Sequence, residues 1–241
     1  MNRFPREFTD LLSDRAIAGI HAFARKNADI RREKLFWFPM VCSRTTAAAG
    51  VDLLERKMRP LLRPVKGPIP RSTITKMRSN YSEVLPKTLR NNAVSLNTKG
   101  REAYRIAERI GLVQMLRSDS LRQLLEKLCG FRLDSDPGCQ VLCYGPGDYV
   151  GPHNDHHPEA ENLRRGYVDF QMTLSTDGVA HQWLVFERKG YLQDMVEVGI
   201  ASGMSISFLP FWHYTTPLMA KPRKSATAKR WLLLASFSRQ N

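Results

Sequence analysis

Between Tyr167 and Ser175 the chain reads Y-V-D-F-Q-M-T-L-S, an alternation that fixes two unlike faces of one strand. Val168, Phe170, Met172 and Leu174 share one face; Asp169, Gln171, Thr173 and Ser175 share the other. Such a strand needs an apolar layer on one side and water or a wet cavity on the other. Further short strand patterns follow Gly138, at 139–144, 181–187, 195–198, 205–210 and 230–237, most of them separated by Gly, Pro or Asp. Short strands at close spacing argue for an antiparallel sandwich or barrel, not a parallel α/β sheet.

Before Gly138 the period is helical. The spacing predicts helices over 14–28 (capped by Ser13 or Asp14), 45–62 (disturbed at Pro60), 100–116 and 119–129, the last closed by Gly130. The apolar run Lys34 to Val41 reads as a strand or a core-packing loop, and 71–98 as polar loop or short strand, long enough to contact a substrate. The expected organisation is α+β: a basic, mainly helical region over 1–136 packed on a β core over 137–241, together one compact domain.

Charge divides at the same place. Residues 1–136 carry 27 Lys+Arg against 14 Asp+Glu, and residues 137–241 carry 10 against 9, within a net charge of +14. A basic face of this kind is either a solvated arginine-rich surface or a site for an anionic partner or nucleic acid. No run reaches the length of a membrane span, and the first residues lack the apolar core of a secretory signal. Cys42, Cys129, Cys139 and Cys143 form no C-x-x-C pair, so reduced thiols in a cytoplasmic protein are expected.

Chemistry concentrates in Tyr144 to Asp155, Y-G-P-G-D-Y-V-G-P-H-N-D, and in H-Y-T-T-P from His213 to Pro217. If the first stretch is extended, His153 and Asp155 leave the same face. An imidazole beside a carboxylate makes two parts of the facial triad of non-heme Fe(II) oxygenases, and His213 can return as the third. Arg230 opens the apolar strand R-W-L-L-L-A-S-F, on one face with Leu232 and Leu234, where its charge calls for a carboxylate partner. The bland alternative is a hydrogen-bonded turn pair and a satisfied edge histidine. His156 and His157 read as exposed loop residues, and His181 as either a wall of the site or an ordinary strand residue.

With these residues in view, the segment from about Cys139 to Ser238 resembles the Fe(II)- and 2-oxoglutarate-dependent dioxygenases, closest to their prolyl-hydroxylase type. The resemblance implies a double-stranded β-helix (jelly-roll) core with the N-terminal helices packed on one sheet. It implies His153, Asp155 and His213 as the catalytic iron ligands and Arg230 as partner of the distal carboxylate of 2-oxoglutarate. Tyr144 and Thr173 match positions that line or help bind that cosubstrate. The implied reaction consumes dioxygen, turns 2-oxoglutarate into succinate and CO2, and hydroxylates an amino acid, a peptide or protein side chain, or a small molecule.

The chain departs from the family in two places. Many relatives have a serine two residues after the arginine, where this chain has Leu232, so a second hydrogen bond must come from elsewhere. A G-G-x-L-x-F strand is replaced by A-H-Q-W-L-V-F, which leaves His181 and Trp183 as candidates for shaping a different substrate pocket. Oxidative demethylation of nucleic acid is the alternative suggested by the basic half, and a metal-free jelly-roll binding protein is a further one.

Overall fold

The alternating segment forms a strand over its full predicted length, with its apolar face against the helices. The computed structural model describes residues 1–67, 89–155, 163 and 166–240. Its strands are, in chain order, β1 (Leu35–Pro39), β2 (Arg63–Lys66), β3 (Leu89–Ser95), β4 (Gly138–Tyr144), β5 (Tyr149–His153), β6 (Tyr167–Ser175) and β7 (Val179–His181). They continue with β8 (Trp183–Arg188), β9 (Tyr191–Glu197), β10 (Ser202–Leu209), β11 (His213–Thr215), β12 (Met219–Ala220) and β13 (Arg230–Ser238).

All pairings among these strands are antiparallel, in the order β1-β10-β6-β13-β4-β3-β5-β11-β8-β9, with β2 on β3 and β12 on β7. The sheet folds over itself into a double-stranded β-helix. One layer is centred on β6 and β13, and the other on β11 and β8. The corner is made by β3, which pairs with β4 through Asn92–Ser95 and with β5 through Leu89 and Arg90. Strands from the N-terminal half therefore complete the sheet: β3 at the corner and β1 at the edge beside β10.

The outer face of the β6–β13 layer carries the main core. Val168, Phe170, Met172 and Leu174 join Trp231, Leu233, Ala235 and Phe237 against Leu53, Leu54, Leu112, Leu121 and Leu125 of the helices. Burial of these side chains is the main driving force for docking the helical half. Trp231 is fully buried, and its indole donates to Glu55 Oε1 at 3.0 Å. The inner faces of the same strands are left for the cavity.

The helices follow their caps. Asp14–Ala24 starts from Ser13, whose hydroxyl accepts from Ala16 N, and ends earlier than the predicted 28. Arg44–Lys57 starts from Ser43, and Pro60 falls in a separate 3-10 turn, Arg59–Leu61. Asp119–Cys129 ends on Gly130 in the left-handed region, as expected. The span 100–116 is two helices instead of one, Glu102–Arg109 and Leu112–Leu116. The break lies at Gly111, φ 80°, where a Cβ would stand 2.5 Å from the Phe4 carbonyl oxygen. Phe4 N donates to Ile110 O at 2.8 Å, so the N-terminal segment needs this gap to dock. Among the described residues no helix is long and apolar enough to cross a membrane.

Candidate metal centre and its cavity

The two distant histidines meet because β5 and β11 are neighbours in register. His153 pairs directly with His213 across the ladder, and the ring centroids lie 4.1 Å apart. The turn before β5 is held by Asp148, whose carboxylate accepts from Gly145 N at 2.8 Å and from Arg90 Nε at 2.6 Å. Thr215 Oγ1 accepts from Val150 N at 2.9 Å, tying β11 to β5 beside the histidines.

Asp155 arrives by a different route from the expected one. β5 ends at His153, and Asp155 stands beyond it at φ 50°, so a bend presents the carboxylate instead of strand alternation. Asp tolerates that conformation better than most residues. Its backbone oxygen accepts from the Tyr167 hydroxyl at 3.1 Å. Asp155 Oδ2 then lies 3.2 Å from His153 Nε2 and 3.7 Å from His213 Nε2.

Both rings are oriented by backbone carbonyls. His153 Nδ1 is 2.7 Å from Gly151 O and His213 Nδ1 is 2.9 Å from Phe211 O. A carbonyl only accepts, so each Nδ1 carries a proton, and each Nε2 is the ring atom turned toward Asp155. The set of two imidazole nitrogens and one carboxylate oxygen, all within 4.8 Å of one another, fits a divalent transition metal.

These residues line a cavity of about 390 Å³ between the two layers of the sheet. Its inner wall is the polar face of β6 and the inward face of β13: Asp169, Gln171, Leu232, Leu234 and Ser236. Arg230 lies at one end, 2% exposed, with Nε donating to Thr173 Oγ1 at 2.9 Å and Nη1 to Gln182 Oε1 at 3.0 Å. Its Cζ stands 5.0 Å from the centroid of the Tyr144 ring. Burial lowers the guanidinium pKa to about 10, with the Tyr144 phenol opposing. Burial likewise pushes the phenol up, against the Arg230 charge and the Asn91 amide. The hydrogen-bond partners of Arg230 are neutral, so its charge remains available to an anion in the cavity.

The sequence-predicted residues His153, Asp155, His213, Arg230 and Tyr144 all line this cavity, and Thr173 holds Arg230. His181 and Trp183 do not line it. The strand alternates, so Leu184 faces inward while His181 and Trp183 face out, stacked at 14° with His181 Nδ1 2.7 Å from Glu197 Oε1. Alternation from Leu184 marks Gln182 as the inward residue, which the sequence reading passed over. It also passed over Asn91 on β3 and Asp148. His156 and His157 lie outside the described residues, as does most of the 71–98 segment.

No family model and no curated protein matches the chain. Solved structures share its fold. A Pseudomonas putida prolyl-4-hydroxylase aligns with a TM-score of 0.54 at 15% identity, covering 91% of this chain and 100% of that one. A non-heme α-ketoglutarate-dependent carbocyclase, SnoK from nogalamycin biosynthesis, aligns with a TM-score of 0.54 at 11% identity, covering 98% and 88%. A 2OG-Fe(II) oxygenase-family oxidoreductase from Burkholderia pseudomallei gives 0.50 at 14% identity, covering 92% and 91%. The chain has the double-stranded β-helix fold of the prolyl-hydroxylase-like 2-oxoglutarate oxygenases.

Proposed function

We propose that this chain is an Fe(II)- and 2-oxoglutarate-dependent dioxygenase that hydroxylates an amino acid, a peptide or protein side chain, or a small molecule. The observation that carries the reading is one cavity holding both a His-Asp-His set oriented by backbone carbonyls and a buried arginine that, among the described residues, bonds only to neutral groups. Either feature alone has a structural explanation. Together they supply a metal site and an anion anchor in one cavity.

In this reading His153, Asp155 and His213 hold Fe(II), and Arg230 with Thr173 binds the distal carboxylate of 2-oxoglutarate. Bound Fe(II) supplies the dioxygen chemistry that converts 2-oxoglutarate to succinate and CO2 and oxidises the substrate. The protein's part is position and exclusion of water. Gly151 O and Phe211 O fix the imidazoles, and Tyr167 holds the backbone of Asp155. Leu142, Val150, Leu184 and Leu232 line the cavity and limit access of bulk water. Arg230, carrying the full charge of a guanidinium without a carboxylate from the described part of the chain, orients the cosubstrate through a bidentate contact.

The neighbours named as a prolyl-4-hydroxylase and as a carbocyclase act differently on the same fold. Hydroxylation is favoured here by the motif around His153, and a peptide, amino acid or small molecule by the size of the cavity, about 390 Å³. Among the described lining residues Arg230 is the only Lys or Arg, so the basic N-terminal half brings no second such cation to the wall for a nucleic-acid backbone.

The test is anaerobic titration of the purified protein with Fe(II) and 2-oxoglutarate, following the visible metal-to-ligand charge-transfer band. The band should form, should be absent in His153→Ala, and should require far more 2-oxoglutarate in Arg230→Ala. No band, with no metal uptake by the unmodified protein, would refute the reading.

A further inference from the structure

The end of the cavity that holds Arg230 contains a buried polar atom with no hydrogen-bond partner among the described residues. Asn91 on β3 is 5% exposed and lines the cavity, and its Oδ1 has no hydrogen-bond partner among the described residues. Buried amide oxygens are seldom left alone, and one on a residue that lines a cavity points to a ligand or to a turned amide. The neighbouring group is Tyr144, whose phenol feels both the Asn91 amide and the Arg230 charge.

An amide is nearly isosteric about its own axis, so turning Asn91 by half a rotation costs little packing. In the turned state Oδ1 accepts from the Tyr144 hydroxyl, and Nδ2 takes the place of the unpartnered oxygen as a donor. An anion beside Arg230 favours that state, because it needs donors and is repelled by a bare carbonyl oxygen. Leu232, two residues after Arg230 and lining the same cavity, offers no such donor.

We propose that Asn91 is a binding residue for the distal carboxylate of the cosubstrate, donating from Nδ2 to the carboxylate held by Arg230 while its Oδ1 accepts from Tyr144. The inference rests on the cosubstrate reading above. It makes the corner strand β3 part of the site, so the N-terminal half of the chain contributes directly to ligand binding. It also keeps the anchor charge-balanced: one guanidinium for one carboxylate, with neutral donors around them.

The experiment is calorimetric titration of 2-oxoglutarate into the full chain loaded with Mn(II), with no turnover required. Asn91→Ala should weaken binding on the order of tenfold, the worth of one hydrogen bond to a charged group. Asn91→Asp should weaken it further by placing a second anion at the pocket. Asn91→Ser, which keeps a small donor and serves if the alanine variant folds poorly, should retain most of the affinity. Mn(II) affinity should be unchanged in all three.

A double-mutant cycle separates direct contact from support of Tyr144. The loss from Asn91→Ala should persist in a Tyr144→Phe background. Its disappearance there, or unchanged affinity in both Asn91→Ala and Asn91→Asp, would overturn the inference alone. Mn(II) uptake by the unmodified protein with no 2-oxoglutarate binding would overturn the cosubstrate reading and this inference with it.

Discussion

Gln182 and Arg230 share one hydrogen bond from a cationic donor to a neutral acceptor, Nη1 to Oε1 at 3.0 Å, in the fully buried interior at the end of the cavity. The amide cannot reverse, because Nε2 already donates to Thr216 O at 3.0 Å and Asp148 O at 3.2 Å. Gln182 therefore aims the guanidinium without cancelling its charge. It joins the turn before β5, the segment after β11 and the first residue of β13 at one point.

Gln182→Glu tests that division of labour. A carboxylate at Oε1 would neutralise Arg230 from within the protein and compete with any ligand anion for it. The expected result is a loss of 2-oxoglutarate affinity of tenfold or more in calorimetric titration, with metal affinity retained. Unaltered affinity would mean that the anion does not depend on the charge of Arg230.

The buried thiols make stability fall with alkaline pH. Burial pushes Cys129 and Cys143 up to about 12 and raises Cys42 and Cys139. Above pH 9 the unfolded chain sheds these protons while the folded chain keeps them, so stability falls as pH rises through that window. The slope is about 1.4 kcal/mol per pH unit for each thiol fully in its window. Arg230 acts with the opposite sign, but only above about pH 10, where the folded state begins to release its proton. Urea unfolding from pH 8 to 10 should show the decline, and Cys143→Ala should flatten it. A stability that is level or rising over that range would contradict the burial of these thiols.

Much of this arrangement can be read in the sequence where a period or a spacing carries it. The two faces of β6 follow from alternation alone, and so does the inward set Arg230, Leu232 and Leu234 on β13. Residues placed by contacts far along the chain cannot be read that way. Asn91 enters the site only because β3 bridges the layers, and Asp155 reaches it through a bend that no alternation encodes. Gln182 shares the parity of Leu184, but its aromatic neighbours His181 and Trp183 put the stronger chemical signal on the opposite face.

Gly111 belongs to the same class, since its helical surroundings hide a break imposed by Phe4. Gly111→Ala would carry both the strain of a left-handed conformation and a collision with the Phe4 carbonyl oxygen. The expected loss is about 2 kcal/mol or more in urea unfolding. A variant as stable as the parent would mean that the helix can run through this point and that the N-terminal segment docks elsewhere.

The paired histidines yield the last prediction. In the ladder His153 faces His213, and each Nδ1 is engaged by a carbonyl of its own strand or the turn before it. Removing one ring leaves the backbone pairing of β5 and β11 intact, because Thr215 and the strand register do not depend on it. His153→Ala and His213→Ala should therefore keep the fold, seen as a cooperative transition near that of the metal-free parent. Both should lose the stabilisation that a divalent metal gives the parent, about 2.7 kcal/mol at a hundredfold excess over its dissociation constant. The comparison is urea unfolding with Mn(II) and with a chelator. If either variant retained the metal-dependent shift, the metal would lie outside the His153–Asp155–His213 set, and the catalytic reading would have to move with it.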